Sequence, residues 1–177
     1  SFSGVPEPKT MHIDRFEKYY IVAAAVVLGV FFASLIASAL VFGMHPAQPG
    51  GFINPLTIDQ TAFASPGLRE MGNGSYDVYI VAQMWRFDAG SDEQDVQGND
   101  VLRVPAGSRV TFYVTSRDVT HGFIIEQHNV NFELVPGHVA QGTVTFHRPG
   151  TYAIICHEYC GRGHQTMHMS IVVEQAA

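Results

Sequence analysis

The sequence predicts one membrane-spanning helix followed by an all-β sandwich or barrel. Three observations carry this reading. No Asp, Glu, Lys or Arg occurs from residue 19 to residue 58. From residue 76 onward, short β-branched and aromatic runs alternate with turn residues, the pattern of a many-stranded β domain. The chain has 177 residues, enough for one domain with an appendage, and its 2 Cys are too few for a disulfide-built scaffold.

Residues 21–42 hold nothing more polar than two serines. As a helix this run reaches about 33 Å, against a hydrocarbon layer of about 30 Å. A core helix so apolar on every side would need a larger protein around it. A signal peptide has a shorter apolar run ending at a cleavage site. The span is therefore set at 19–44, after an N-terminal segment 1–18. Lys9, Arg15 and Lys18 precede it and no Lys or Arg follows until Arg69, so the excess of Lys and Arg on that side places the N-terminus in the cytoplasm. Residues 45–177 are then extracytoplasmic, a single-pass topology. Acids balance bases in 1–18, so the net charge of -6 falls entirely after the helix, as seven Arg against thirteen Asp and Glu. A chain so acidic is not built to bind nucleic acid.

Residues 45–75 are rich in Pro, Gly, Ser and Asn and read as a linker. In the domain 76–177, strands are expected at 76–85, 101–104, 109–116, 121–126, 131–135, 142–147, 151–156 and 169–174, with turns at Pro105-Ala-Gly107, Pro136-Gly137 and Pro149-Gly150. Strands this short and closely spaced indicate an antiparallel sandwich or barrel. Residues 91–100, SDEQDVQGND, form an acidic loop: a solvated surface turn on the plain reading, a partner-facing patch on the sharper one.

The chemistry concentrates in CHEYCGRGHQTM, residues 156–167. Thiolate, imidazole and thioether are soft or borderline ligands that select copper over hard cations. Cys160, His164 and Met167, joined by an upstream His at a strand end, make the ligand set of a blue copper site. His121, at the start of an expected strand, is the best upstream candidate. Cys156 is one ligand too many for that site. A second thiolate permits two sulfurs to bridge two coppers, each keeping one His and a weak axial ligand: Met167 for one, a backbone carbonyl between the cysteines for the other. A structural disulfide remains an alternative, as does a zinc site, although zinc leaves Met167 without a role. His157 points away from a site the cysteines face, and His128, His138, His147 and His168 read as surface or supporting residues.

These motifs resemble subunit II of the haem-copper cytochrome c oxidases. The likeness runs through HIDRFEKYY, VYIVAQMWRF, RVPAGSRVTFYVTSRDVTHGFIIEQHNVNFELVPG and TVTFHRPGTYAIICHEYCGRGHQTM. With one helix where most members have two, the chain is similar to the short subunit II of the B-family (ba3-type) enzymes. The resemblance implies a cupredoxin-like Greek-key domain with a binuclear Cu(A) centre. Its ligands would be His121, Cys156, Cys160, His164, Met167 and the backbone carbonyl of Glu158. It further implies a Mg2+ ion near the Glu158 side chain at the contact with subunit I.

The resemblance also makes Trp85 the point where electrons arrive from a docked donor, with core filling as its plain alternative. Glu17 becomes the mouth of a proton channel, against the plain reading of an interfacial acid paired with Lys18 or Arg15. The implied function is the electron-accepting subunit of a terminal oxidase in the prokaryotic plasma membrane. Its partners would be subunit I with its haems and Cu(B), a small further membrane subunit, membrane lipid, and cytochrome c or a small copper protein as donor. Oxygen would be reduced in subunit I, and this chain alone would have no oxidase activity. The alternatives are the Cu(A) subunit of a nitric oxide reductase and a membrane-anchored copper carrier.

Overall fold

The computed structural model describes residues 13–42 and 48–175. Most of segment 1–18 and the expected end of the span at residue 44 lie outside the described residues. The chain divides into two units, 1–45 and 46–177.

The first unit is helix α1, Arg15–Phe42. Its start is a reciprocal cap: the Phe16 amide donates to Asp14 Oδ1 at 2.8 Å, and the Asp14 amide donates to Glu17 Oε2 at 3.0 Å. Two of the unpaired donors at a helix N-terminus are thereby satisfied. This cap lets the helix begin at Arg15, four residues before the expected span. Beyond it the helix is long and apolar enough to cross a membrane, and Val26, Leu28, Phe31, Leu35 and Leu40 are all exposed. An apolar surface on all sides suits a lipid solvent.

The second unit packs two β-sheets on one core. The first sheet contains β1 (Gln48–Phe52), β2 (Gly67–Gly72), β3 (Ser75–Gln83), β4 (Arg86–Asp88), β6 (Arg109–Ser116) and β9 (His138–Thr145), in the order β1-β9-β6-β3-β2 with β4 paired to β3. The second contains β5 (Val101–Pro105), β7 (His121–Ile125), β8 (Asn131–Leu134), β10 (Gly150–Ile155) and β11 (His168–Glu174), in the order β5-β11-β10-β7-β8. Between the sheets lie Phe87, Phe112, Phe123 and Phe146, each at most 1% exposed. Burying each such ring contributes roughly 1.5–3 kcal/mol.

Three expectations need correction. The sandwich is mixed, because β3 pairs parallel with β6 and β5 pairs parallel with β11. A chain that leaves β3, visits the second sheet as β5 and returns as β6 comes back in its original direction. Short turns between most of the other strands hid this crossover. No ladder closes a barrel among the described residues; the strands form two open sheets. Residues 45–75 are more than a linker. They supply β1 and β2, with Ile58 and Phe63 buried in a second apolar cluster beside Val81 and Val139. Their Gly and Pro content masked this, since β1 is QPGGF and Gly50 lies so close to Val139 that a Cβ would meet its side chain at 2.9 Å.

Candidate metal centre

The centre is assembled at one end of the second sheet, from the start of β7 and the loop joining β10 to β11. His121 opens β7 and is fully buried. Its ring is oriented by Asp118, whose Oδ1 lies 2.8 Å from Nε2. Asp118 is itself held by the amides of Val119 and Met84, each at 2.7 Å. Donation from Nε2 leaves the Nδ1 lone pair facing inward, and Nδ1 lies 4.0 Å from Cys156 Sγ. Asp118 is half-buried, which raises its carboxyl pKa, but His121 and the two amides outweigh burial and hold it below the ordinary carboxylate value. For His121, burial favours the neutral ring, yet the Cys156 sulfur and Asp118 raise its pKa.

Cys156 directly follows β10 (Gly150–Ile155), and the chain then curls back over the sheet edge. The Cys156 amide donates to the Met167 carbonyl at 3.1 Å, closing the loop. A short 3-10 turn, His164–Thr166, brings His164 and Met167 inward. Cys156 Sγ is 3.7 Å from Cys160 Sγ and 3.3 Å from the Glu158 carbonyl oxygen. Cys160 Sγ is 3.6 Å from His164 Nδ1 and 3.6 Å from Met167 Sδ. All six predicted donors thus converge on a single cluster. Cys156, Cys160 and Met167 are at most 3% exposed, and both cysteines are free thiols. His121, Cys156 and Cys160 alone place three ligand atoms within 4.8 Å of one another, the only such His/Cys/Asp/Glu group among the described residues.

The two thiols share a single easy ionisation. Burial raises both, but His121 and the Gly122 amide bring Cys156 down to about 7. Burial and the adjacent Cys156 sulfur push Cys160 up to about 12. Making both into thiolates requires added positive charge, so metal binding here releases protons. The donor set fits a soft metal, since it pairs two sulfurs with imidazoles and a thioether and includes no first-rank hard oxygen ligand beyond one carbonyl.

Close approaches hold the ligand loop in place. A Cβ on Gly122 would lie 2.6 Å from the backbone nitrogens of His157 and Glu158, so only glycine lets β7 pass under the loop. Trp85 lies directly over Gly161 and Gly163, where a Cβ on Gly163 would meet indole carbons at 2.5 to 2.8 Å. Its Nε1 donates to the Cys160 carbonyl at 3.1 Å, while the residue remains 40% exposed. One face of the indole thus touches the cysteine loop and the other meets solvent. Glu158 places its carboxylate outward, 3.5 Å from His157 Nδ1. Glu17 belongs to the helix unit and serves there in the N-terminal cap.

Sequence reasoning missed Asp118, Gly122 and the true role of the acidic loop. An acid three residues before His121 was the available signal for Asp118. In the loop, Glu93 pairs with Arg103 through two bonds, Asp95 binds Asn99 and His168, and buried Asp100 accepts the Ala89 amide. Three of its carboxylates therefore close the loop itself, which leaves less free charge for a partner than the sequence suggests.

The family model for cytochrome c oxidase subunit II, periplasmic domain, matches residues 57–176. A cytochrome c oxidase subunit 2 of Thermus thermophilus is 37% identical over 169 residues, covering 92% of this chain and 94% of its own length. A second cytochrome c oxidase subunit 2 from Thermus thermophilus is 38% identical over 136 residues, 75% of this chain and 93% of the relative. Among solved structures, a chain of a heme-copper terminal oxidase dimer aligns with TM-score 0.72 and 32% identity, over 90% of this chain and 100% of its own. A family model that matches 57–176 and a 37% identical relative covered over nearly its whole length carry the assignment: the chain belongs to the cytochrome c oxidase subunit II family.

Proposed function

We propose that this chain is the electron-accepting subunit of a terminal haem-copper oxidase of the short, single-helix B-family (ba3-type) form. It takes electrons from an extracytoplasmic donor, cytochrome c or a small copper protein, and delivers them to haem in subunit I, where oxygen is reduced to water. The observation that carries this reading is the convergence of two thiols, two imidazoles, a thioether and a backbone carbonyl in one cluster. When bound, a binuclear Cu(A) centre supplies a one-electron carrier. His121, Cys156, Cys160, His164, Met167 and the Glu158 carbonyl would hold it. Burial of the sulfurs keeps water from them, and the hydrogen-bonded loop keeps the donors in place between oxidation states. That burial also disfavours a copper carrier, which must surrender its metal to a partner.

Copper added to the full chain in detergent micelles is expected to give a purple protein whose EPR spectrum shows one electron shared over two coppers. A blue mononuclear spectrum, or a colourless protein, would overturn the assignment.

Trp85, touching both solvent and the ligand loop, is the proposed point of electron arrival. The N-terminus is assigned to the cytoplasm on the Lys and Arg balance. A Mg2+ ion near Glu158 would draw its other ligands from subunit I. Glu17 is proposed as the proton-channel mouth, where an acid at the membrane edge can collect protons. Glu17→Gln tests this cleanly, because Gln also serves at the third position of such a cap. Turnover of the assembled oxidase should fall several-fold with the purple spectrum intact; unchanged turnover would remove Glu17 from the proton path.

A further inference from the structure

His168 follows Met167 directly and opens β11. Its ring is engaged at both nitrogens. Nδ1 lies 3.0 Å from the Thr166 carbonyl oxygen, and Nε2 lies 3.1 Å from both Asp95 Oδ2 and Asn99 Nδ2. Asp95 is in turn the hub of its own loop. Its Oδ1 accepts the amides of Gln97 at 2.8 Å and Asn99 at 2.9 Å, and the Asn99 side-chain amide donates to both carboxylate oxygens. At the loop base, Asp100 accepts the Ala89 amide through its side chain and the Ser170 amide through its carbonyl. The excursion between β4 and β5 is therefore closed at its root and pinned near its tip to the residue after Met167.

This pin bears on the thioether. Methionine has three rotatable bonds, so its sulfur is placed only as well as its backbone is fixed. On one side the Met167 backbone is held by the Cys156 amide and the His164 carbonyl. On the other it is held through the anchored ring of His168. The same loop and the segment carrying His164 and Met167 line an open cleft with Trp85, of about 660 Å³. Whatever enters that cleft touches the pin.

We propose that His168, clamped by Asp95 and Asn99, is a positioning residue for the Met167 thioether, coupling the loop 91–100 to that axial ligand. The inference rests on reading the cluster as a copper site, and its test is made first without copper. In the full chain in micelles, with methionine methyls labelled for NMR, Asp95→Ala should shift and broaden the Met167 methyl while remote Met71 keeps its wild-type position. Asp95→Asn, which keeps an oxygen facing His168, should restore most of the wild-type signal. After copper loading, Asp95→Ala should shift the midpoint potential with the purple colour retained. An unchanged Met167 methyl would overturn the proposal. So would loss of dispersion at every methionine, which would make the clamp a general structural support. A wild-type chain that fails to turn purple would defeat the copper assignment separately, and the methyl result would still decide the clamp.

Discussion

Cys160→Ser is expected to abolish the proposed binuclear copper centre while leaving the β domain folded. Cys160 Sγ is the hub of the cluster, within 3.7 Å of the Cys156 sulfur, the His164 nitrogen and the Met167 sulfur. Two metal ions can share two sulfurs as bridges; with one sulfur the pair loses half its bridge. The serine oxygen is hard and stays protonated, so it does not replace a soft thiolate. His121 keeps its place on β7, oriented by Asp118 rather than by the cysteine loop, and Cys156 keeps its amide bond to the Met167 carbonyl. The variant should therefore take up copper at lower stoichiometry and show a mononuclear spectrum in place of the purple one. A hydroxyl in a pocket 3% exposed costs on the order of 1–3 kcal/mol, which a domain with this core tolerates. Thermal melting by far-UV circular dichroism checks that the fold persists. A purple two-copper centre in the variant would refute the bridging role.

The parts of this molecule that were legible in the sequence are those with a local signature. An uncharged apolar run announces a spanning helix, and the structure places it at Arg15–Phe42. Val and aromatic alternation located β6 at 109–116 to the residue, because every second side chain there faces the core. The six groups that converge in the candidate cluster were legible because five of them, counting the Glu158 carbonyl, sit in twelve consecutive residues, and a thiol, imidazole and thioether together are uncommon company. What stayed hidden depends on distance. The parallel pairing of β3 with β6 is decided by a crossover through the other sheet, which no window of sequence contains. β1 and β2 were obscured because Gly and Pro there serve close packing and a bulge rather than a free linker. The acidic loop looked like free charge, and three of its four carboxylates proved to be bonded to Arg103, His168 and backbone amides. A charge pattern shows where carboxylates are, and only the fold shows what satisfies them.

Trp85→Ala is expected to cut electron uptake from a reduced donor while leaving copper in place. The indole spans from solvent to the ligand loop, donating to the Cys160 carbonyl and covering Gly161 and Gly163. A Trp at the centre of a docking surface commonly contributes about 2 kcal/mol or more, so truncation should weaken donor docking roughly thirtyfold. Trp85→Phe separates the two roles of the residue: the apolar contact is largely kept, and the hydrogen bond to Cys160 is lost. If that bond carries the electronic connection, Phe should slow electron transfer at saturating donor with little change in the half-saturating concentration. If contact alone matters, Phe should behave as wild type. Gly163→Ala approaches the same link from below, since its Cβ would need the space now filled by indole carbons. Displacing the ring should reproduce much of the Trp85→Ala defect with Trp85 still present. Stopped-flow reduction of the copper-loaded chain by cytochrome c, followed at the purple absorbance, measures all three. Full-speed reduction of Trp85→Ala would move the point of electron arrival elsewhere on the domain.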